Sequence, residues 1–160
     1  AGNVKKEISI DHMAINGLPE FLATISQEYT KRVLPDYLPE GTKVAFRVWT
    51  VSQFAGDFNP IHIHDSNLSG VCFLKVHPKF DEEYSKEDHH PTAGCLEFIG
   101  SIPNHFARHS FLVKPEVGDF YIFPSWLTHQ VYPFRSDGER RSMAFNVHFT
   151  MTNPMKGVDV

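Results

Sequence analysis

From Leu18 to Val33 the apolar positions return every three or four residues: Leu18, Leu22, Ile25, Tyr29 and Val33, with Phe21 widening the stripe. That period places them on one face of a helix, predicted over about 17–34. Asn16 suits its N-cap, Pro19 its first turn and Pro35 its end. Beyond this point the pattern changes. Runs rich in β-branched and aromatic residues predict strands at 43–51, 68–76, 94–100, 119–124 and 140–150. The stretches "IHIH", "SFLVKP" and "HQVYP" read as shorter strands. Turn-forming segments such as "AGDFNP", "PEVGD" and "RSDGE" separate them. Many short strands after one leading helix predict a β-dominated sandwich or jelly-roll barrel, with the helix packed outside and the β core over about 43–150. No repeat or boundary interrupts the pattern, so 1–160 reads as one domain.

Composition agrees with a packed β interior. The chain of 160 residues holds 14 Phe, and aromatic rings fill sheet faces well. A net charge of -4 gives no footprint for nucleic acid or anionic lipid. No apolar run approaches the roughly 20 residues that cross a bilayer, and "AGNVKKEISI" does not read as a signal peptide. Cys72 and Cys95 lie in apolar runs and read as buried free thiols. Together these lead to the expectation of a cytoplasmic or soluble intracellular protein, with the oligomeric state open.

The candidate chemistry begins at "NPIHIHDSNLSG". On a strand His62 and His64 share a face, and two imidazoles at that spacing chelate one transition-metal ion. Asp65 follows at once and is the alternative to His64 as a ligand. A third imidazole, His129, opens the later strand in "FPSWLTHQVYP", and Arg140 and Ser142 share one face of the last strand. His89 and His90 read as part of a solvated acidic loop, and His77, His105, His109 and His148 have no spaced partner.

The segments "HIHDSNLSGVCFL", "GCLEF", "FPSWLTHQVYP" and "RRSMAFN" occur in that order. In them the chain resembles the Fe(II)/2-oxoglutarate-dependent oxygenases, most closely a small branch with H-x-H, LSGVYYL, FPSWLxHxVxP and RxSxxFN motifs. The resemblance covers roughly 49–150. It implies a double-stranded β-helix of the jelly-roll, cupin-like kind, and a dioxygenase that couples decarboxylation of 2-oxoglutarate to substrate hydroxylation with O₂. It makes His62 and His129 ligands of Fe(II), with His64 where most relatives carry a carboxylate. Arg140 becomes the cation for the far carboxylate of 2-oxoglutarate, with Ser142 beside it and Asn146 nearer the metal. Phe73 stands where a Tyr hydroxyl often helps hold the cosubstrate. Trp49, Gln53, Phe73 and Trp126 are expected to line the pocket.

Other readings of the same residues stay open. One is a cupin-like three-histidine metalloprotein, a dioxygenase or isomerase that does not use 2-oxoglutarate. Another is a non-catalytic binding module on the jelly-roll scaffold. The substrate is expected to be a small molecule or a peptide. The acidic segment 77–93 is expected to be a flexible loop, either a lid over substrate or a solvated insertion.

Overall fold

The computed structural model describes residues 4, 6–33, 41–86, 91–100, 106 and 108–150. Nine strands form two antiparallel sheets among these residues. The strands are β1 (Lys6–Ile10), β2 (Lys43–Gln53), β3 (Asn59–His62), β4 (Leu68–Lys75), β5 (Leu96–Ile99), β6 (Ser110–Val113), β7 (Phe120–Pro124), β8 (Thr128–Val131) and β9 (Arg140–Thr150). The five-stranded sheet runs β1-β2-β9-β4-β7 and the four-stranded sheet β3-β8-β5-β6. This is the two-sheet arrangement of a double-stranded β-helix, with the helices outside it.

β9, with 11 residues like β2, lies at the centre of the larger sheet. It pairs with β2 along its whole length, from Lys43↔Thr150 to Gln53↔Arg140, and with β4 on its other side. Alternation then sorts its side chains. Arg140, Ser142, Ala144 and Asn146 face the opposite sheet, while Met143, Phe145 and Val147 face helix α1 (Leu18–Val33). The tip of the Phe145 ring lies against Gly70 of β4, where a Cβ would collide with it. That close approach explains the glycine in "LSGV".

Two apolar clusters result. Leu22, Val48, Leu68, Phe145 and Val147 fill the layer between α1 and the larger sheet. Phe73, Leu96, Phe98, Val113, Phe123 and Val131 fill the space between the two sheets. Each such side chain contributes about 1.5–3 kcal/mol when fully buried. The second cluster stops short of one end of the sandwich, and the space left there is the candidate site.

Several expectations need correction. The helix begins at Leu18, after Gly17 at φ 79°, so Asn16 is not its N-cap. Pro35 lies outside the described residues. Val33 and Phe21 are exposed rather than packed, although Phe21 rests edge-on against Phe120 at 5.5 Å. Strand β1, read as no element at all, adds an edge to the larger sheet. The segment 77–93 is not a plain loop either. It contains helix α2 (Phe80–Lys86), whose Phe80 is buried. The Glu83 carboxylate accepts from the backbone N–H groups of Arg135 and Ser136 at 2.6 and 2.8 Å. These bonds fasten α2 to the turn before β9, and His77 adds a bond from its ring to the Asp137 carbonyl. A lid would have to come from outside this docked helix, and positions 87–90 lie outside the described residues.

Candidate metal and anion site

β3 is an edge strand with a bulge. Asn59 pairs with Val131 and His62 with His129, so three steps on β3 match two on β8. A regular strand would point residues three apart to opposite faces. The extra residue, at Pro60 or Ile61, turns Asn59 and His62 to the same face, the one that looks between the sheets. Pro60 fits here because an edge strand can spare its missing N–H. His129 sits between β3 and β5, opposite both His62 and Phe98, and is 4% exposed.

His64 comes to this cluster by a different route. β3 ends at His62, so strand alternation does not carry His64 inward. The chain turns, and the His64 N–H donates to the Ser125 carbonyl at 3.0 Å. Below it the Ser125 hydroxyl lies 2.5 Å from that of Ser66 and 2.8 Å from that of Ser69, and Ser69 donates to Asn146 Oδ1 at 2.9 Å. This network fastens the His64 turn to β4, to the β7–β8 connection and to β9. Asp65, the alternative to His64, is exposed and does not join the cluster.

The nitrogens of His62, His64 and His129 all lie within 4.8 Å of one another. His62 Nδ1 is 2.7 Å from the Pro60 carbonyl, and His129 Nδ1 is 2.8 Å from the Leu127 carbonyl. Both Nδ1 atoms must donate there, so Nε2 is the ring atom each presents to a metal. Burial is the main force pulling the His64 pKa down to about 4, and the charges of His129 and His62 add to it. Burial also brings His129 to about 4, against the opposing bond to Leu127 and with help from His62. These rings are therefore neutral near pH 7, the form that binds metal.

The donor set fits a transition-metal ion. His64 Nε2 and His129 Nε2 are 3.2 Å apart. Two ligands each about 2.1 Å from one ion stand that far apart when they subtend about 100°, between the tetrahedral and octahedral values. Three imidazoles suit iron, zinc, copper or nickel.

The other wall of the cavity carries a cation. Arg140 is 2% exposed. Its Nη1 donates to Gln53 Oε1 at 2.5 Å, and the guanidinium lies 5.0 Å from the centre of the Phe73 ring. No carboxylate pairs with it among the described residues, and its Nε has no hydrogen-bond partner. Burial lowers its pKa to about 10, which leaves it charged at neutral pH. An unpaired buried cation is costly, so the arrangement calls for an anion.

A cavity of about 540 Å³ joins the two halves of the site. Trp49, Gln53, Ser142 and Asn146 line it, as do the three histidines and Arg140. Val51, Val71, Leu96 and Val131 give it apolar walls. Two expected lining residues lie elsewhere. Trp126 is 68% exposed, because the turn that brings Ser125 under His64 throws the next side chain outward. Phe73 forms the floor under Arg140 within the core rather than the cavity surface. Sequence reading also missed wall residues. Arg47 reaches over Trp49 at 5.7 Å, and its parity with Trp49 and Gln53 on β2 was the available signal. Glu7 and Ser9 enter from the unrecognised β1, and Asn59 enters through the bulge.

Fold and site thus define a two-sheet β protein with a histidine-rich metal-binding cluster. The chain belongs to the family described as "Putative 2OG-Fe(II) oxygenase", whose model matches residues 47–146. Solved structures share the fold. A Pseudomonas putida prolyl-4-hydroxylase aligns with TM-score 0.56 and 21% identity over 89% of this chain and 67% of its own. A prolyl hydroxylase from Trichoplax adhaerens, solved with a hypoxia-inducible-factor peptide fragment, aligns with TM-score 0.55 and 13% identity over 92% of this chain and 65% of its own. HygX from Streptomyces hygroscopicus, solved with nickel and 2-oxoglutarate, aligns with TM-score 0.52 and 10% identity over 89% of this chain and 69% of its own. The chain spans about two thirds of the length of these structures, and 48% of a prolyl 4-hydroxylase from Phytophthora capsici. At such identities the likeness is one of fold. No curated protein sequence matches the chain. No helix among the described residues is long and apolar enough to cross a membrane.

Proposed function

We propose that this chain is an Fe(II)- and 2-oxoglutarate-dependent dioxygenase that hydroxylates a small molecule or a peptide. One observation carries the reading: a cluster of three imidazoles and a buried arginine without a carboxylate partner share one cavity. His62, His64 and His129 would hold the iron. Bound iron supplies the redox chemistry, by which O₂, 2-oxoglutarate and a substrate C–H bond become succinate, CO₂ and an alcohol.

The chain's own residues do the rest. The Pro60 and Leu127 carbonyls hold the His62 and His129 rings in the tautomer that presents Nε2. Three neutral ligands leave the ion's full charge in place. With Arg140 at the far wall, the cavity favours a dianion at both of its ends. Arg140 takes the far carboxylate through a guanidinium fork, and Ser142 offers its hydroxyl from the same strand face. Asn146, anchored by Ser69, lies along the same inward row toward the metal end. The valine and leucine walls keep water from the reacting centre.

The test is succinate formation by Fe(II)-loaded protein supplied with 2-oxoglutarate and O₂. The reading predicts succinate above the metal-free background, and its loss in His129→Ala and Arg140→Ala. A second reading is favoured by His64, an imidazole where a carboxylate would be usual: a three-histidine metalloenzyme that does not use 2-oxoglutarate. Metal binding with neither succinate formation nor 2-oxoglutarate binding would select it.

A further inference from the structure

Gln53 closes β2 directly opposite Arg140, the last register pair between β2 and β9. Its side chain is 1% exposed and lies on the cavity wall. A guanidinium only donates, so the amide oxygen must face Arg140 and the amide nitrogen must face away. That nitrogen, Gln53 Nε2, is buried and has no acceptor, and neither does Arg140 Nε. Gln53 and Arg140 both line the cavity, so each brings a buried donor without an acceptor to its wall. A carboxylate only accepts, and it has two oxygens to offer. Asn59 Oδ1, also buried and unpaired on this wall, is an acceptor and serves a donor instead.

The choice of an amide at this position has a physical logic. A carboxylate at 53 would pair with Arg140 and cancel its charge. An apolar side chain would leave the guanidinium unheld. Glutamine holds Arg140 in place, keeps its charge available and adds a donor of its own. On the cosubstrate reading given above, we propose that Gln53 binds the far carboxylate of the keto acid together with Arg140 and so sets selectivity for a dianionic cosubstrate.

Calorimetric titration of the protein, loaded with Mn(II) in place of Fe(II), tests this. The probes are 2-oxoglutarate and 2-oxobutanoate, which lacks the second carboxylate. Gln53→Glu is expected to weaken 2-oxoglutarate binding by roughly 100-fold or more, because the new pair neutralises Arg140. Its binding of 2-oxobutanoate should stay within about three-fold of native, and its melting temperature should not fall, since a buried charge has gained a partner. Gln53→Leu should lose roughly 10-fold for 2-oxoglutarate alone, and it carries the test if Gln53→Glu does not fold. Native affinity for 2-oxoglutarate in the variants, or an equal loss for both keto acids, overturns the proposal. Native 2-oxoglutarate affinity in Arg140→Ala would instead sink the cosubstrate reading on which it rests.

Discussion

The two faces of β9 carry neighbouring residues to opposite fates. Arg140 turns inward, is buried, and is held by a neutral amide over a phenyl ring. Arg141 turns outward, and its Nη2 lies 2.7 Å from Glu139 Oε1 at the protein surface. The rows behind them differ in the same way. Ser142, Ala144 and Asn146 are small or polar and leave space. Met143, Phe145 and Val147 fill their side against α1 and the strands beside them. One strand thus serves as core on one face and as a cavity wall with an unsatisfied charge on the other. The outward row finds its partners within the chain, whereas the inward row leaves Arg140 Nε without a hydrogen-bond partner.

Substitutions on the two faces should therefore separate binding from stability. The largest contrast is between the arginines. Arg140→Ala should weaken 2-oxoglutarate binding by more than about 100-fold and leave metal binding near native, because it removes a buried charge meant for the ligand. Arg141→Ala should change neither measurably. A calorimetric result with the two exchanged would mean that β9 is misregistered by one residue. Next comes Phe145→Ala, which should cost about 3–5 kcal/mol of stability by denaturant unfolding, the cost of a large buried ring. At temperatures where the variant is folded, its 2-oxoglutarate affinity should be near native.

Ser142→Ala, on the inward face, should do the reverse on a smaller scale. It should lose about 0.5–1.5 kcal/mol of cosubstrate affinity, one hydrogen bond's net worth, with an unchanged melting temperature. The smallest effect concerns acid. Desolvation pulls the Glu139 pKa up, yet hydrogen bonds from Ser52, Lys75 and Arg141 and the charge of Arg141 win and hold it at about 2. A carboxylate held below its unfolded value stabilises the fold above the unfolded pKa. That contribution fades as pH falls through about 4.5 toward 2. Native protein should therefore be more stable than Glu139→Gln near pH 7, and the gap should close by about pH 2 in urea titrations. A gap that is constant with pH would remove this ion-pair account of the outer face.

The sequence made the β9 contrast visible because strand alternation is a strict rule. Arg140 and Ser142 share parity and Arg141 does not, whatever the neighbours are. Helix α1 was visible for the same reason, through its recurrence of Leu18, Leu22 and Ile25. What escaped depends on irregular backbone. The bulge in β3 turns Asn59 toward the cavity against simple parity. His64 arrives by a turn pinned to Ser125, beyond the end of the strand on which its orientation was argued. Helix α2 was hidden because its seven residues are mostly charged, and it is held by Phe80 and the Glu83 bonds rather than by an apolar stripe. The Gln53–Arg140 pair joins positions 87 residues apart, a distance across which no local pattern speaks.

The most direct test of the account is a structure of the protein crystallised anaerobically with Mn(II) and 2-oxoglutarate. The account predicts one ion within about 2.0–2.2 Å of the Nε2 atoms of His62, His64 and His129, the usual imidazole distance. It predicts the far carboxylate of 2-oxoglutarate on Arg140, with Gln53 beside it. An ion held by Asp65 instead of His64, or a carboxylate that leaves Arg140 unpaired, would contradict it.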